Sequence, residues 1–311
     1  MIGVINFLHK NKIVSYGTSL IGLSHIAKGS VCQDANKVCS LKNGWFVAAV
    51  ADGVGSAKYS DEASKIAVET IINECLNNID KNTLLADCKT VLLNAYNEAN
   101  KRIQEYADNK KESISEFDTT LHSVIYDGQH LVYAHSGDGG IVALGDDGKY
   151  IKLTNPQKAE DGICVIPLRA GENFWEIKVV DDMIINSVLL ATDGIYDTFF
   201  PYLLKGQENE IYVSLIRYFM DNNILNVSDR NIKDIENSRI SFLQSDAYSS
   251  VSDDKTLVVL INSKEKSSFQ PDEYYNEPDW NYLQEEWNKK AYPHLYKTDN
   301  VNGNAKDGEK Q

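Results

Sequence analysis

TTLHSVIYDGQHLVYAHSGDGGIVALGDDGKYIKLT, residues 119–154, alternates apolar and polar side chains with a period of two. Asp127-Gly128 and Asp147-Gly148 interrupt it as hairpin-turn dipeptides, so the segment reads as an antiparallel meander rather than βαβ units. Before it, GWFVAAVAD (44–52) reads as a strand, too short and too rich in small and β-branched residues for a free-standing helix. SDEASKIAVETIINECLNNI (60–79) sets apolar residues three and four apart behind a Ser or Asp start, the pattern of an amphipathic helix. A second helix is expected from Asn82 to Asn109, its stripe being Leu84, Leu85, Val91, Leu92, Tyr96 and Ile103. Residues 13–27 read as extended, with further strands at 175–180 and 185–192, helices near 195–204 and 208–222, and a last strand at 255–262. Helices and hairpins are segregated, which predicts an α+β fold.

The bulk properties restrict function. A net charge of −14 on 311 residues repels nucleic-acid phosphates and anionic membrane surfaces and attracts metal cations. Cys32, Cys39, Cys75, Cys88 and Cys164 form no CxxC pair, which fits reduced structural thiols rather than a zinc cluster or disulfide framework. No basic segment precedes the short apolar run in MIGVINFLHKNK (1–12), and no stretch is apolar enough to span a bilayer, so a cytoplasmic location is expected. Composition shifts after Ser263, dividing the chain into a domain at 1–264 and an acidic, aromatic-containing extension at 265–311 whose end reads as disordered. That extension is read either as packing on its own domain or as a docking element for a protein partner.

Aspartates recur where apolar strands stop. Asp34 follows Gln33 in VCQDAN, Asp52 closes VAD, Asp138 sits in HSGDGG, Asp193 closes LLATD, and Asp253 opens SDDKT. Ionised carboxylates beside hydrophobic strands are costly to desolvate, and several converging would repel one another. A divalent cation resolves both problems, and oxygen ligands without histidine or cysteine select magnesium or manganese. Glycine after Asp52 and after Asp193 is expected to let the backbone turn sharply there.

The order of CQDAN, VAAVADGVGSAKYSDEASKIAVE, FDTTLHSVIYDGQHLVYAHSGDGGIVAL, LLATDGIYDTF and SDDKTLVVL resembles the metal-dependent protein phosphatases, the type 2C or PPM serine/threonine family, in a bacterial-type branch. The resemblance covers residues 15–262. It implies a four-layer α-β-β-α sandwich, two antiparallel sheets packed face to face between helices, with a dinuclear Mg/Mn site at one end. It further implies hydrolysis of phosphoserine and phosphothreonine in a phosphoprotein substrate by a hydroxide bridging the two ions. Carried across by motif, Asp52 corresponds to the carboxylate bridging both metals, with the Gly53 carbonyl on one of them, and Asp193 and Asp253 to ligands of the other. Asp34, with Gln33, corresponds to the pair holding metal-bound waters, which makes Asp34 and Asp52 the catalytic candidates. Asp138 and Asp197 match positions that contribute to a weaker third ion.

The chain also departs from the family pattern. Val54 stands where many members carry a general-acid histidine, and the phosphate-binding arginine is missing from SHIAKGSVCQD, leaving His25 and Lys28 as phosphate-binding candidates. GDGG replaces GDS, and Asp254 replaces an asparagine. Two readings follow: a Mn/Mg-dependent phosphatase, or a catalytically silent phosphatase-like binding or regulatory module. Nucleotide binding through GDGGIVALGDDG fails, because neither the P-loop nor the dinucleotide spacing is present. His122, His130 and His135 read as sheet-face residues and Cys32 as a small buried residue, while 155–173 corresponds to the family's variable flap.

Overall fold

The computed structural model describes residues 13–228 and 230–296; the apolar start at 1–12 and the chain end expected to be disordered lie outside the described residues. The strands are β1 (Ile13–Leu20), β2 (Ala35–Ser40), β3 (Phe46–Ala51), β4 (Leu121–Tyr126), β5 (Leu131–Ser136), β6 (Gly140–Gly145), β7 (Tyr150–Lys152), β8 (Glu176–Val180), β9 (Ile185–Ala191) and β10 (Lys255–Asn262). The helices are α1 (Leu23–Lys28), α2 (Ser60–Asn78), α3 (Cys88–Lys110), α4 (Asp193–Phe199), α5 (Val213–Met220), α6 (Asn222–Leu225), α7 (Ile232–Leu243) and α8 (Trp280–Ala291). The meander at 119–154 forms β4 to β7, with Asp127 Oδ1 accepting the Gln129 and His130 amides in the first turn.

Two five-stranded sheets result, ordered β1-β10-β9-β6-β7 and β2-β3-β4-β5-β8. Every pairing in them is antiparallel. The period-two rule assigns alternate residues of one strand to different layers. Ala48 and Val50 join Val124, Val188, Leu190, Val258 and Leu260 between the sheets. Val47, Ala49 and Ala51 instead pack on Ala63, Ala67 and Ile71 of α2 and Leu92 and Tyr96 of α3. On the far side Leu189, Leu257 and Val259 meet Ile195, Phe199, Ile216 and Phe219 of α4 and α5 and Ile232 of α7. The α+β, four-layer expectation describes this architecture.

Local expectations needed correction where exposure hid the pattern. The extended reading of 13–27 holds only to Leu20; α1 follows, capped at Gly22 and with none of its residues buried, so it carries no amphipathic signal. Strand β2 (ANKVCS) was not anticipated because its residues are all half-buried or exposed, as suits an edge. Helix α3 begins at Cys88 rather than Asn82, after a single 3-10 turn at Leu85–Asp87. Helix α7 also lacked a clear stripe, burying only Ile232, Arg239 and Leu243. Strand β9 ends at Ala191, so Asp193 opens α4 instead of closing the strand.

Beyond Ser263 the described residues pack on the two-sheet domain. Asn186 Nδ2 donates to Ser267 Oγ at 3.0 Å, the Ser268 amide donates to Asp146 O at 2.7 Å, and the Tyr150 amide donates to Tyr274 Oη at 2.9 Å. The Trp280 ring meets Tyr212 edge-on at 4.9 Å, and Trp287 meets Tyr202 at 5.7 Å. Among the described residues no helix is long and apolar enough to cross a membrane.

Leu190 is fully buried between the sheets, so Leu190→Ala is expected to remove about 3 kcal/mol of stability. Urea unfolding checks this as a lower midpoint with an unchanged slope.

Candidate metal centre

Antiparallel pairing places the end of one strand beside the start of the next. Ala51 at the end of β3 faces Ala35 at the start of β2, and Ala191 at the end of β9 faces both Gly140 of β6 and Leu257 of β10. Asp34, Asp52, Asp138, Asp193 and Asp253 each stand one or two residues beyond such a strand end. Sheet topology therefore delivers them to one rim of the sandwich.

At that rim, carboxylate oxygens of Asp52, Asp138 and Asp193 lie within 4.8 Å of one another. Asp138 is buried while Asp52 and Asp193 are half-buried. Burial, followed by the charges of Asp34 and Asp193, raises the Asp52 carboxyl well above the ordinary range. Burial also pushes Asp193 up to about 6, with Asp138 and Asp253 adding to the shift. Asp138 is raised chiefly by burial, against the lowering influence of Lys158. Asp34, 5% exposed, sits behind Asp52; burial pushes it to about 7 although hydrogen bonding with Asp52 and Thr192 acts to lower it. Asp253 and Asp197 are exposed at the margin, the first close enough to act on Asp52 and Asp193, the second on Asp138.

These groups fit a hard divalent cation. The trio is all carboxylate, and Asp34 Oδ1 is buried without a hydrogen-bond partner. Such an uncompensated acceptor beside like charges is costly, and a cation favours the ionised form of every member.

The supporting framework is specific. Asp34 Oδ2 accepts from Thr192 Oγ1 at 2.8 Å, which ties the β2 entry to the β9 exit. The Asp52 carbonyl accepts from the Thr120 amide at 2.8 Å and from Thr119 Oγ1 at 2.9 Å, while its amide donates to Thr120 Oγ1 at 2.9 Å. Asp254 accepts the Gly22 amide on Oδ1 and the Gln33 amide on Oδ2, each at 2.6 Å, and its Oδ1 lies 2.9 Å from His25 Nδ1. An asparagine amide would have to present one nitrogen to a donor there, which accounts for the acid at 254. The glycines serve a different purpose from the one expected: neither Gly53 nor Gly194 has a positive φ. A Cβ on Gly194 would meet Asp254 O at 2.1 Å, and one on Gly53 would meet Ser60 backbone at 2.7 Å, so close packing of backbones demands glycine.

The remaining candidates spread around the rim. His25 is on α1 beside Asp254, and Lys28 is exposed in the last turn of the same helix. Val54 donates its amide to Asp118 O at 3.0 Å, and Arg169 clamps the Asp118 carboxylate through Nε and Nη2. The Cys32 thiol is pushed up by burial, which makes it a poor nucleophile. His122 and His135 are buried on adjacent strands with their Nδ1 atoms 2.8 Å apart, and His135 Nε2 lies 2.9 Å from Asn155 O. Because that carbonyl only accepts, the network assigns Nε2–H to His135 and Nδ1–H to His122. Burial keeps both rings neutral, with His135 lowered to about 4. Sequence reasoning missed Thr192, the bracketing threonines and Lys158; Thr192 alone had a local signal, its place beside Asp193.

The sequence model of the family described as Protein phosphatase 2C matches residues 21–228. Among solved structures the chain is similar to a bacterial serine phosphatase, at 13% identity over 82% of this chain and 99% of that one, with a TM-score of 0.58. It is similar to the serine/threonine phosphatase Stp1 from Staphylococcus aureus, at 14% identity, 83% and 99% coverage and a TM-score of 0.58. A third similar structure is the catalytic domain of the serine/threonine phosphatase PstP in complex with two manganese ions, at 16% identity, 80% and 97% coverage and a TM-score of 0.54. At these identities the structures bear on the fold alone. No curated protein matches the sequence.

The raised carboxyls carry a pH signature for the metal-free protein. A folded carboxyl near 7, against about 4 unfolded, binds more protons in the native state between those values, so stability falls as pH rises through that window. In chelator, Asp34→Asn is expected to raise the melting temperature at pH 8, by on the order of 1 kcal/mol of stability, and to change it little at pH 4. Thermal unfolding at both pH values measures it; a larger gain at the acid end contradicts the account.

Proposed function

The chain belongs to the protein phosphatase 2C family, and from that premise we propose that it hydrolyses phosphoserine and phosphothreonine in proteins with Mg2+ or Mn2+ held at the acidic rim. The observation that carries the reading is the convergence of Asp52, Asp138 and Asp193 in a site with all-oxygen donors. Asp52, Asp193, Asp253 and the Gly53 carbonyl are the proposed principal ligands, Asp34 holds water beside them, and Asp138 and Asp197 complete a weaker third position. Ions bound there supply Lewis acidity toward a water nucleophile and neutralise phosphoryl charge.

The protein's own part is to hold and move protons and to position. Asp34, fixed by Thr192, is oriented at the inner edge of the trio, where it can accept a proton from a water lying against Asp52. Val54 offers no proton to the leaving alcohol, so protonation falls to the carboxyls of the rim or to solvent. The free state of all five cysteines is in keeping with a reducing compartment, and we place the enzyme in the cytoplasm. A protein partner at the extension forms no part of the proposal, since Trp280 and Trp287 already pack on Tyr212 and Tyr202.

With Mn2+ present, turnover of an aryl phosphate and a phosphothreonine peptide is expected, with complete loss in chelator. Asp52→Asn and Asp193→Asn should each lower kcat by about a thousandfold or more, the scale on which removal of a charge-stabilising group acts. Steady-state kinetics on all three proteins decides this. Metal-independent turnover would rule the reading out, and absence of turnover in every condition would favour the silent binding module.

A further inference from the structure

The flap-like segment after β7 is built onto the loop that carries Asp138. Gln157 donates its amide to Gly137 O at 2.8 Å, and its Oε1 accepts the Gly137 amide at 3.1 Å. Lys158 pairs with Val165 as an isolated antiparallel bridge, closed by Ala159 N to Cys164 O at 2.8 Å, so residues 157–166 form a small hairpin. Its root aims Lys158 at the acidic rim: Nζ lies 3.6 Å from Asp138 Oδ2, the lysine side chain 39% exposed and the aspartate 10%. The ammonium acts on Asp197 as well as on Asp138. It is a cation placed by a hairpin against the very carboxylates that would otherwise repel one another.

We propose that Lys158 is the built-in counter-cation of the rim in the metal-free protein and becomes a phosphate-binding residue once a divalent ion takes over the Asp138 carboxylate. The inference rests on the phosphatase reading above and adds to it a residue that contacts substrate. A divalent ion on Asp138 neutralises the charge that holds the ammonium and repels the ammonium itself, so occupancy of the trio weakens the pair and frees the lysine head. Its flexible stem lets the ammonium swing while the hairpin root stays bonded to Gly137. A phosphomonoester dianion is the ligand that then suits it: the group must approach a rim crowded with carboxylates and needs a donor of positive charge there. Metal and phosphate thereby reinforce each other's binding through Lys158, and the coupling is reciprocal.

The two roles make opposite predictions for one substitution, which a merely structural lysine would not. The full chain is compared as wild type, Lys158→Met, which keeps the stem and removes the charge, and Lys158→Arg, which keeps the charge. Titration of the metal-free protein with Mn2+ by calorimetry should show Lys158→Met binding about two- to fivefold tighter, the range an exposed ion pair supplies. Inorganic phosphate titrated into the Mg2+-loaded protein should bind Lys158→Met about tenfold more weakly, and KM for a phosphothreonine peptide should rise similarly with kcat little changed. Lys158→Arg should stay near wild type in each measurement. Unchanged or weaker Mn2+ binding by Lys158→Met overturns the counter-cation role, and unchanged phosphate binding overturns the substrate role. A wild type without turnover would remove the phosphatase reading, yet the two titrations would still decide what Lys158 does.

Discussion

Mutual repulsion among carboxylates held at one rim is the constraint around which this molecule is organised. Asp34, Asp52, Asp138 and Asp193 sit where burial alone would favour their neutral forms, and the charges of Asp34 and Asp193 make Asp52 harder to ionise, as that of Asp138 does for Asp193. An isolated turn carrying such groups would splay apart. Here the turns of Asp52, Asp138, Asp193 and Asp253 are held because they adjoin strands whose two faces are both buried, as in β3, β9 and β10, while Asp34 before the edge strand β2 is held by Thr192. The apolar layers thus hold charges at distances that the charges themselves oppose.

Rigidity at the rim comes from polar bonds as well as from packing. Thr192, Thr119 and Thr120 use their hydroxyls to hold Asp34 and the Asp52 backbone, and Asp254 gathers the Gly22 and Gln33 amides beneath the loop leading to Asp34. Asp254 is thereby a positioning group, distinct from the acids that face the opening. The flap-like hairpin shares this framework, since Gln157 bonds both polar groups of the Gly137 backbone. The C-terminal extension attaches elsewhere, at the Asp146 turn that closes β6 at the opposite end of its sheet, and then crosses Tyr212 and Tyr202. Trp280 and Trp287 therefore cover a helix-layer surface, and Tyr274 meets Tyr150 of β7, away from the acidic rim.

Much of this was legible along the chain, and what was illegible had definable causes. The meander, α2, β9 and β10 have strong periodicity or bury both faces, so composition alone marks them. Helix α1 and strand β2 bury little, and an element without a buried face leaves no pattern to read. The aspartates were visible because a charge at the end of an apolar run is anomalous. Thr119, Lys158 and the His122–His135 pair were not, since a threonine, lysine or histidine at those positions is unremarkable until a partner far along the chain is placed beside it.

The amino-acid order by itself determined the meander with its two hairpin turns, β3, β9, β10, the α+β class and the acidic residues that follow or precede apolar runs, because these depend on local periodicity and on neighbours a few positions away. Only the tertiary structure decided that Asp52, Asp138 and Asp193 share one small volume, that Gly53 and Gly194 are there for space rather than for a turn, and that Lys158 faces Asp138. The physical reason is that electrostatic and steric interactions depend on distances through space, and those distances are set by how two sheets stack.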